Sequence, residues 1–370
     1  MNVVLEEIRR KAMSKKVLRF TKPITNCYPA TSEAAGILFA DNSISNWMFN
    51  SFIQVFQVEG NNAIDYYDFA IDNNPFLCYN ELQYSFVYHN WKSLTEFIKS
   101  CIDDRYYVRL FNNMSKNPLY HTNQELQHDI LVYGYDDETG EFFVADYFSN
   151  GHFEEEKCKY EDLERAVDTF DPSLFETNVG FLNCIQMIQI EENLCKLRYS
   201  LYTGEQMEYI LSLNLPRIIA SLRDYLDCVP TTNWFTRARA MDESLAANHK
   251  WGLDCYDVLK LHVENYQPHQ ASFSGQSFYM MKNHKEVMIA RLRKIEKFYV
   301  FPNVEDHVAR YESLLSMTQR LMLLYYKLEY DFDNERLYER IYRLLDEIKQ
   351  KDAEYTELLY RDLLTVHELL

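Results

Sequence analysis

HDILVYGYDDETGEFFVADYF, residues 128–148, sets two runs rich in β-branched and aromatic residues on either side of a polar DDETGE turn. That is the pattern of an antiparallel hairpin. Pairing centred near Asp137 or Glu138 puts His128 directly opposite Asp146 or on the diagonal from it, with both side chains on one face. Opposed Cβ atoms lie about 4.5–5.5 Å apart and diagonal ones about 7–8 Å, so an imidazole and a carboxylate so placed can meet. An ordinary surface pair has the same appearance, and the hairpin needs a second element before it implies chemistry.

Outward from the hairpin, YYVRLF (106–111) and FLNCIQMIQI (181–190) read as further strands, and TSEAAGILFA (31–40) and YEDLERAV (160–167) as helices. Beyond about residue 204 the period becomes helical, through GEQMEYILSLNLPRIIASLRDYL (204–226), HKEVMIARLRKIEKFYV (284–300) and two long segments over 304–370 hinged near 331–334. With 370 residues, two domains are expected. The fold class that follows is α+β: an antiparallel sheet packed with helices over 1–195, then a mainly helical domain over 196–370, placed to cover a cleft. The irregular stretch 229–276 is expected to be a lid or connector.

The second element is TNCYPATSEAAGILF (25–39). Pro29 suits a first helical turn, so Cys27 stands at a helix N-terminus, where unpaired N–H groups and the helix dipole favour a thiolate. A cysteine there is otherwise just one of eight, none in a CxxC pair, which argues against a zinc site or a disulfide framework. Together with the hairpin it supplies a nucleophile (Cys27), a base (His128) and an orienting carboxylate (Asp146), in the chain order of papain-like enzymes.

NCYPATSEAAGILF and HDILVYGYDDETGEFFVADY resemble the N-terminal domain family of butirosin biosynthesis protein H and, more distantly, the bacteriocin-processing cysteine peptidases. Within that family the chain is similar to the closthioamide-type enzymes that join polyamide chains to a diamine. The resemblance implies a papain-like cysteine-protease fold that takes an acyl group from the phosphopantetheine arm of a carrier protein and passes it to an amine. Cys27, His128 and Asp146 match its catalytic positions. Papain-like peptidases usually carry a glutamine a few residues before the cysteine, but RFTKPITNC (19–27) has none. Asn26 or Thr25, with the Cys27 N–H, is then expected at the oxyanion. A peptidase, amidase or thioesterase would use the same residues with water as acceptor. A degenerate papain-like interaction protein is the non-enzymatic alternative.

The net charge of −18 excludes nucleic acid as a natural partner and suits a small amine or diamine, for which the 29 Tyr offer pocket walls. Residues 1–27 are the exception, with seven basic side chains against Glu6 and Glu7. Lys15, Lys16 and Arg19 are accordingly expected to dock an acidic carrier protein, and the cluster Lys282, Lys285, Arg291, Arg293, Lys294 and Lys297 to extend that surface. Met280, Met281, Met288, Ile289 and Leu292 read as core. No His spacing of HExxH type, Walker loop or GxGxxG is present, so no metal or cofactor is expected. With no signal-like or membrane-spanning run, a cytoplasmic location is expected and no membrane partner.

Overall fold

The computed structural model describes residues 14–40, 45–58, 63–67, 76–148, 152–168, 184–190, 212–230, 249–267 and 274–369. The chain divides into two compact units, Met1–Asp41 with Pro75–Leu197, and Asn42–Asn74 with Arg198–Leu370. The fold is α+β, an antiparallel sheet packed with helices plus a helical C-terminal region.

In the first unit the described strands are β1 (Lys15–Val17), β2 (Leu77–Gln83), β3 (Tyr107–Asn113), β4 (Gln127–Asp136), β5 (Glu141–Tyr147), β6 (Phe153–Lys159) and β7 (Cys184–Ile190). They form one sheet in the order β2-β7-β3-β4-β5-β6, and β1 pairs with the far end of β4. The helices are α1 (Pro29–Phe39), α2 (Tyr84–Asn90), α3 (Leu94–Asp103) and α4 (Tyr160–Asp168). Alternation along β4 sends Ile130 and Val132 to the face where Phe97, Ile98 and Ile102 of α3 and Leu163 of α4 bury them. α3 starts at Ser93, whose hydroxyl accepts from the Glu96 N–H at 3.1 Å, and Glu96 reaches back to the Lys92 N–H at 3.1 Å.

α1 packs on β4 and β5. Its small residues allow a close approach, and at Gly36 a Cβ would lie 2.3 Å from the Phe20 ring. Thr31 to Leu38 are buried without a break, so this helix has no solvent face.

The second unit contains the short helix Ser45–Asn50, a two-stranded hairpin (Val55–Gln57 with Ile64–Tyr66), and α5 (Leu215–Asp227), α6 (Cys255–Glu264), α7 (Ser274–Phe298), α8 (Val304–Lys327) and α9 (Glu335–Glu368). Two consecutive domains were expected, but Asn42–Asn74 belongs with the C-terminal unit. Arg291 of α7, 1% exposed, donates to the carbonyls of Phe49 (2.8 Å), Ser51 (2.5 Å) and Phe52 (3.0 Å). A long-range bond set of this kind leaves no local periodicity to read.

Lys285 is fully buried as well, with Nζ 2.5 Å from Asp352, which also accepts from Tyr225 (2.6 Å) and Tyr256 (2.9 Å). Lys285 and Arg291 therefore leave the expected docking surface, because their charges are spent inside the helical unit. Of the five residues read as core, Met280, Met281, Met288 and Leu292 are buried and Ile289 is only partly so. Half of the expected lid or connector, 231–248 and 268–273, and residues 204–211 of the first expected helix lie outside the described residues, and within its described half Cys255–Glu264 is helix α6. Among the described residues no helix is long and apolar enough to cross a membrane.

Candidate active site

His128 is the second residue of β4 and Asp146 the sixth of β5. The turn between them closes on Asp136 opposite Glu141, not on the centre expected from sequence. Carried straight on, that register would set Asp146 beside Leu131, on the opposite face from His128. A β-bulge at Tyr133 intervenes: Gly134 faces Phe143, but Val132 faces Val144 and Leu131 faces Ala145. One extra residue turns the rest of the strand over. Asp146 then falls beside Ile130, diagonal to His128, and the His128 Nδ1 meets Asp146 Oδ2 at 2.8 Å.

The bulge depends on Gly134, where β1 crosses closely. A Cβ there would lie 2.8 Å from the Lys16 carbonyl oxygen and 2.9 Å from the Val17 Cα, both main chain. Gly134→Ala should therefore displace β1 or the bulge, at about 1–3 kcal/mol of stability. Any activity carried by the His128–Asp146 pair should fall by about two orders of magnitude, since a shift of ~1 Å at such a pair can cost that much. Thermal melts alongside single-turnover rates check this. A variant that melts lower yet turns over normally would show that the bulge does not serve the pair.

Asp146 is fully buried and also accepts from the Tyr120 hydroxyl at 2.5 Å. Asn112 donates to the His128 carbonyl (2.9 Å) and the Tyr120 hydroxyl (3.3 Å), and takes a bond from Asn117 at 3.1 Å. Burial alone would lower the His128 pKa. The charge and hydrogen bond of Asp146, with Asp129 adding, outweigh it and push the imidazole up to about 10. His128 is thus held as an imidazolium at neutral pH, its side chain 24% exposed. Among the described residues Nδ1 carries all its bonds, to Asp146 and the Asp129 carbonyl (2.9 Å), and Nε2 carries none.

Cys27 sits two residues ahead of α1, 2% exposed, with Tyr28 as N-cap and Pro29 in the first turn. α1 lies on the face of β4 and β5 that carries Asp129 and Tyr147, marked by the Ser32 hydroxyl 2.7 Å from that of Tyr147. His128 and Asp146 project from the other face, near the N-terminal end of β4. The Thr25 hydroxyl is buried and has no hydrogen-bond partner among the described residues. Asn26 is half-buried.

Sequence reading missed a second polar group. Arg109 of β3 bonds Asp129 and Gln186 and pairs with Glu33 of α1. Burial pushes the Glu33 carboxyl well above its usual range despite Arg109. Glu33, six residues after Cys27, is near enough to Asp146 and His128 for their charges to act on it. The signal available was weak: a glutamate inside an otherwise small, apolar helix.

Lys15 pairs with Asp136 at 2.9 Å, Lys16 donates to the Asp103 carbonyl at 2.5 Å, and the Arg19 carbonyl accepts from Tyr107. Arg9, Arg10 and Lys11 lie outside the described residues. A separate concave surface of about 340 Å³ is lined by Lys116, His121 and Arg165, with Ser115 and Thr122. Among the described residues no group of His, Cys, Asp and Glu is arranged to hold a metal ion. In comparisons with family models and with curated proteins, nothing matches the chain.

Proposed function

We propose that the first unit is a papain-like cysteine acyltransferase that moves an acyl or peptidyl group from a carrier-protein thioester to an amine. The observation that carries this reading is the His128–Asp146 contact of 2.8 Å, with Asp146 fully buried, made on the two strands against which the helix after Cys27 packs. An imidazolium held charged at neutral pH favours a thiolate partner. The Cys27 thiolate attacks the thioester carbonyl, and the tetrahedral oxyanion is met by the Cys27 N–H and by Thr25, whose hydroxyl otherwise stays unsatisfied. Collapse expels the carrier thiolate, which takes the His128 proton, and leaves an acyl-Cys27 thioester. The amine then attacks, neutral His128 accepts its proton, and the Cys27 thiolate departs. Transfer through this triad requires Cys27 Sγ to reach His128 Nε2 around the N-terminal end of β4.

The acidic balance of the chain favours a cationic amine. The test is intact-mass analysis with an acyl thioester, first without acceptor and then with a panel of mono- and diamines. A covalent adduct that diamines convert to amide is expected. Hydrolysis that dominates at saturating amine for every acceptor would replace transfer with the peptidase or thioesterase reading. In the same assay, Lys15→Glu with Lys16→Glu should raise KM for a carrier-bound donor more than for a short thioester mimic if β1 docks the carrier. If Lys116→Glu with Arg165→Glu does so instead, docking belongs to the concave surface lined by Lys116, His121 and Arg165.

A further inference from the structure

We propose that Arg109 is a positioning residue, a single guanidinium that locks the helix following Cys27 to the strand carrying His128. The inference rests on the triad reading above and adds a residue to it.

Arg109 lies in β3 with its side chain 13% exposed, between three other elements. Its Nε is 3.0 Å from Glu33 Oε2 on α1 and donates to Asp129 Oδ2 on β4 at 2.8 Å. Nη2 bonds the same Asp129 oxygen, and Nη1 donates to Gln186 Oε1 on β7 at 3.1 Å. A planar fork with several donors can bond Asp129 and Gln186 at once while its charge lies against Glu33, which an ammonium cannot do with the same geometry.

Two features tie this clamp to chemistry. Asp129 follows His128 directly; its carbonyl accepts from the His128 Nδ1 at 2.9 Å and its carboxylate Oδ1 lies 3.6 Å from the same nitrogen. Whatever fixes Asp129 therefore fixes the plane of the imidazole and the direction of Nε2. Glu33 is fully buried in the helix that begins just after Cys27, so its tether to Arg109 sets the height of that helix against the strands. Stability is a poor reason to keep such a group, because a buried ion pair often contributes no more than apolar packing of the same volume. Burial outweighs the pull of Arg109 and holds the Glu33 carboxyl well above its usual range, so the contact acts through close packing against the guanidinium. Arg109 itself stays charged, because Asp129 and Glu33 together overcome its burial.

The experiment measures the pH profile of Cys27 alkylation by iodoacetamide, with kcat and KM for a short acyl thioester and thermal melts as fold control, in the full chain. Wild type should alkylate as a low-pKa thiol whose profile collapses in His128→Ala. Arg109→Lys should stay folded, lower kcat by about 10- to 100-fold at nearly constant KM, and move the alkylation profile toward an ordinary thiol near pH ~8.5. Glu33→Ala should do the same, and Glu33→Gln, which keeps size and an acceptor oxygen, should stay near wild type. If Arg109→Lys and Glu33→Ala change only the melting temperature, the clamp is structural and the proposal is overturned. If Arg109→Lys does not fold, Glu33→Ala against Glu33→Gln decides alone. A wild-type profile already indifferent to His128→Ala would overturn the triad itself, and this proposal with it, before any Arg109 variant is compared.

Discussion

Cys27→Ala should abolish both the acyl adduct and amide formation, with a loss of at least about four orders of magnitude, as expected when the nucleophile of a concerted catalytic group is removed. Alanine at Cys78, Cys101, Cys158, Cys184, Cys195, Cys228 or Cys255 should leave turnover intact. The structure adds reasons for some of these. Burial pushes the Cys101 and Cys158 thiols up to about 12 and raises Cys255 well above its usual range, so all three stay protonated and inert at neutral pH. Intact mass and product formation are the measurements. A Cys27→Ala protein that still forms amide at the normal rate ends the covalent mechanism.

Asp146→Asn should produce the second largest effect, about 10²- to 10⁴-fold in the acylation rate, because an amide leaves the imidazole free to take the wrong tautomer. It should also move the pH profile. In the folded wild type His128 is raised to about 10, above its ordinary value of 6.5. On the proposed mechanism this imidazolium protonates the departing thiolate, so the alkaline limb of acylation should fall near 10. Without the Asp146 charge the opposing pull of burial weighs more, and the limb should move to the acid side. Stability follows the same sign. The raised His128 contributes stability that is fully present below pH 6.5 and is lost as pH rises through about 10, and Asp146→Asn should flatten that part of the stability curve. Thiol release in single turnovers, without amine, reads the acylation limb directly. A limb unchanged in Asp146→Asn would mean that His128 does not carry the proton.

Sequence by itself determined the elements whose patterns are local. Alternation wrote out β4 and β5, and the small-residue run after Pro29 placed Cys27 at the start of α1. The helical period foretold α8 and α9 with the break between them. Parity along the hairpin also led to His128 beside Asp146, but by a route the fold does not take. The turn closes in a register that would separate them, and the Tyr133 bulge restores the match. A bulge costs ladder bonds and is kept here where β1, more than a hundred residues away in sequence, crosses at Gly134.

Tertiary structure alone decided the rest, for the same kind of reason. Arg291 and Lys285 look like surface charge in a helical sequence until carbonyls at Phe49 to Phe52 and the Asp352 carboxylate arrive from distant parts of the chain to accept them. The segment Asn42–Asn74 therefore joins the C-terminal unit. Glu33, Arg109 and Asp129 occupy three separate elements, and nothing in the spacing of any one of them announces the other two. Periodicity reports which face of an element is buried. The partner waiting on that face is fixed only when the chain folds back on itself, because the cost of burying a charge is settled by contacts far apart in sequence.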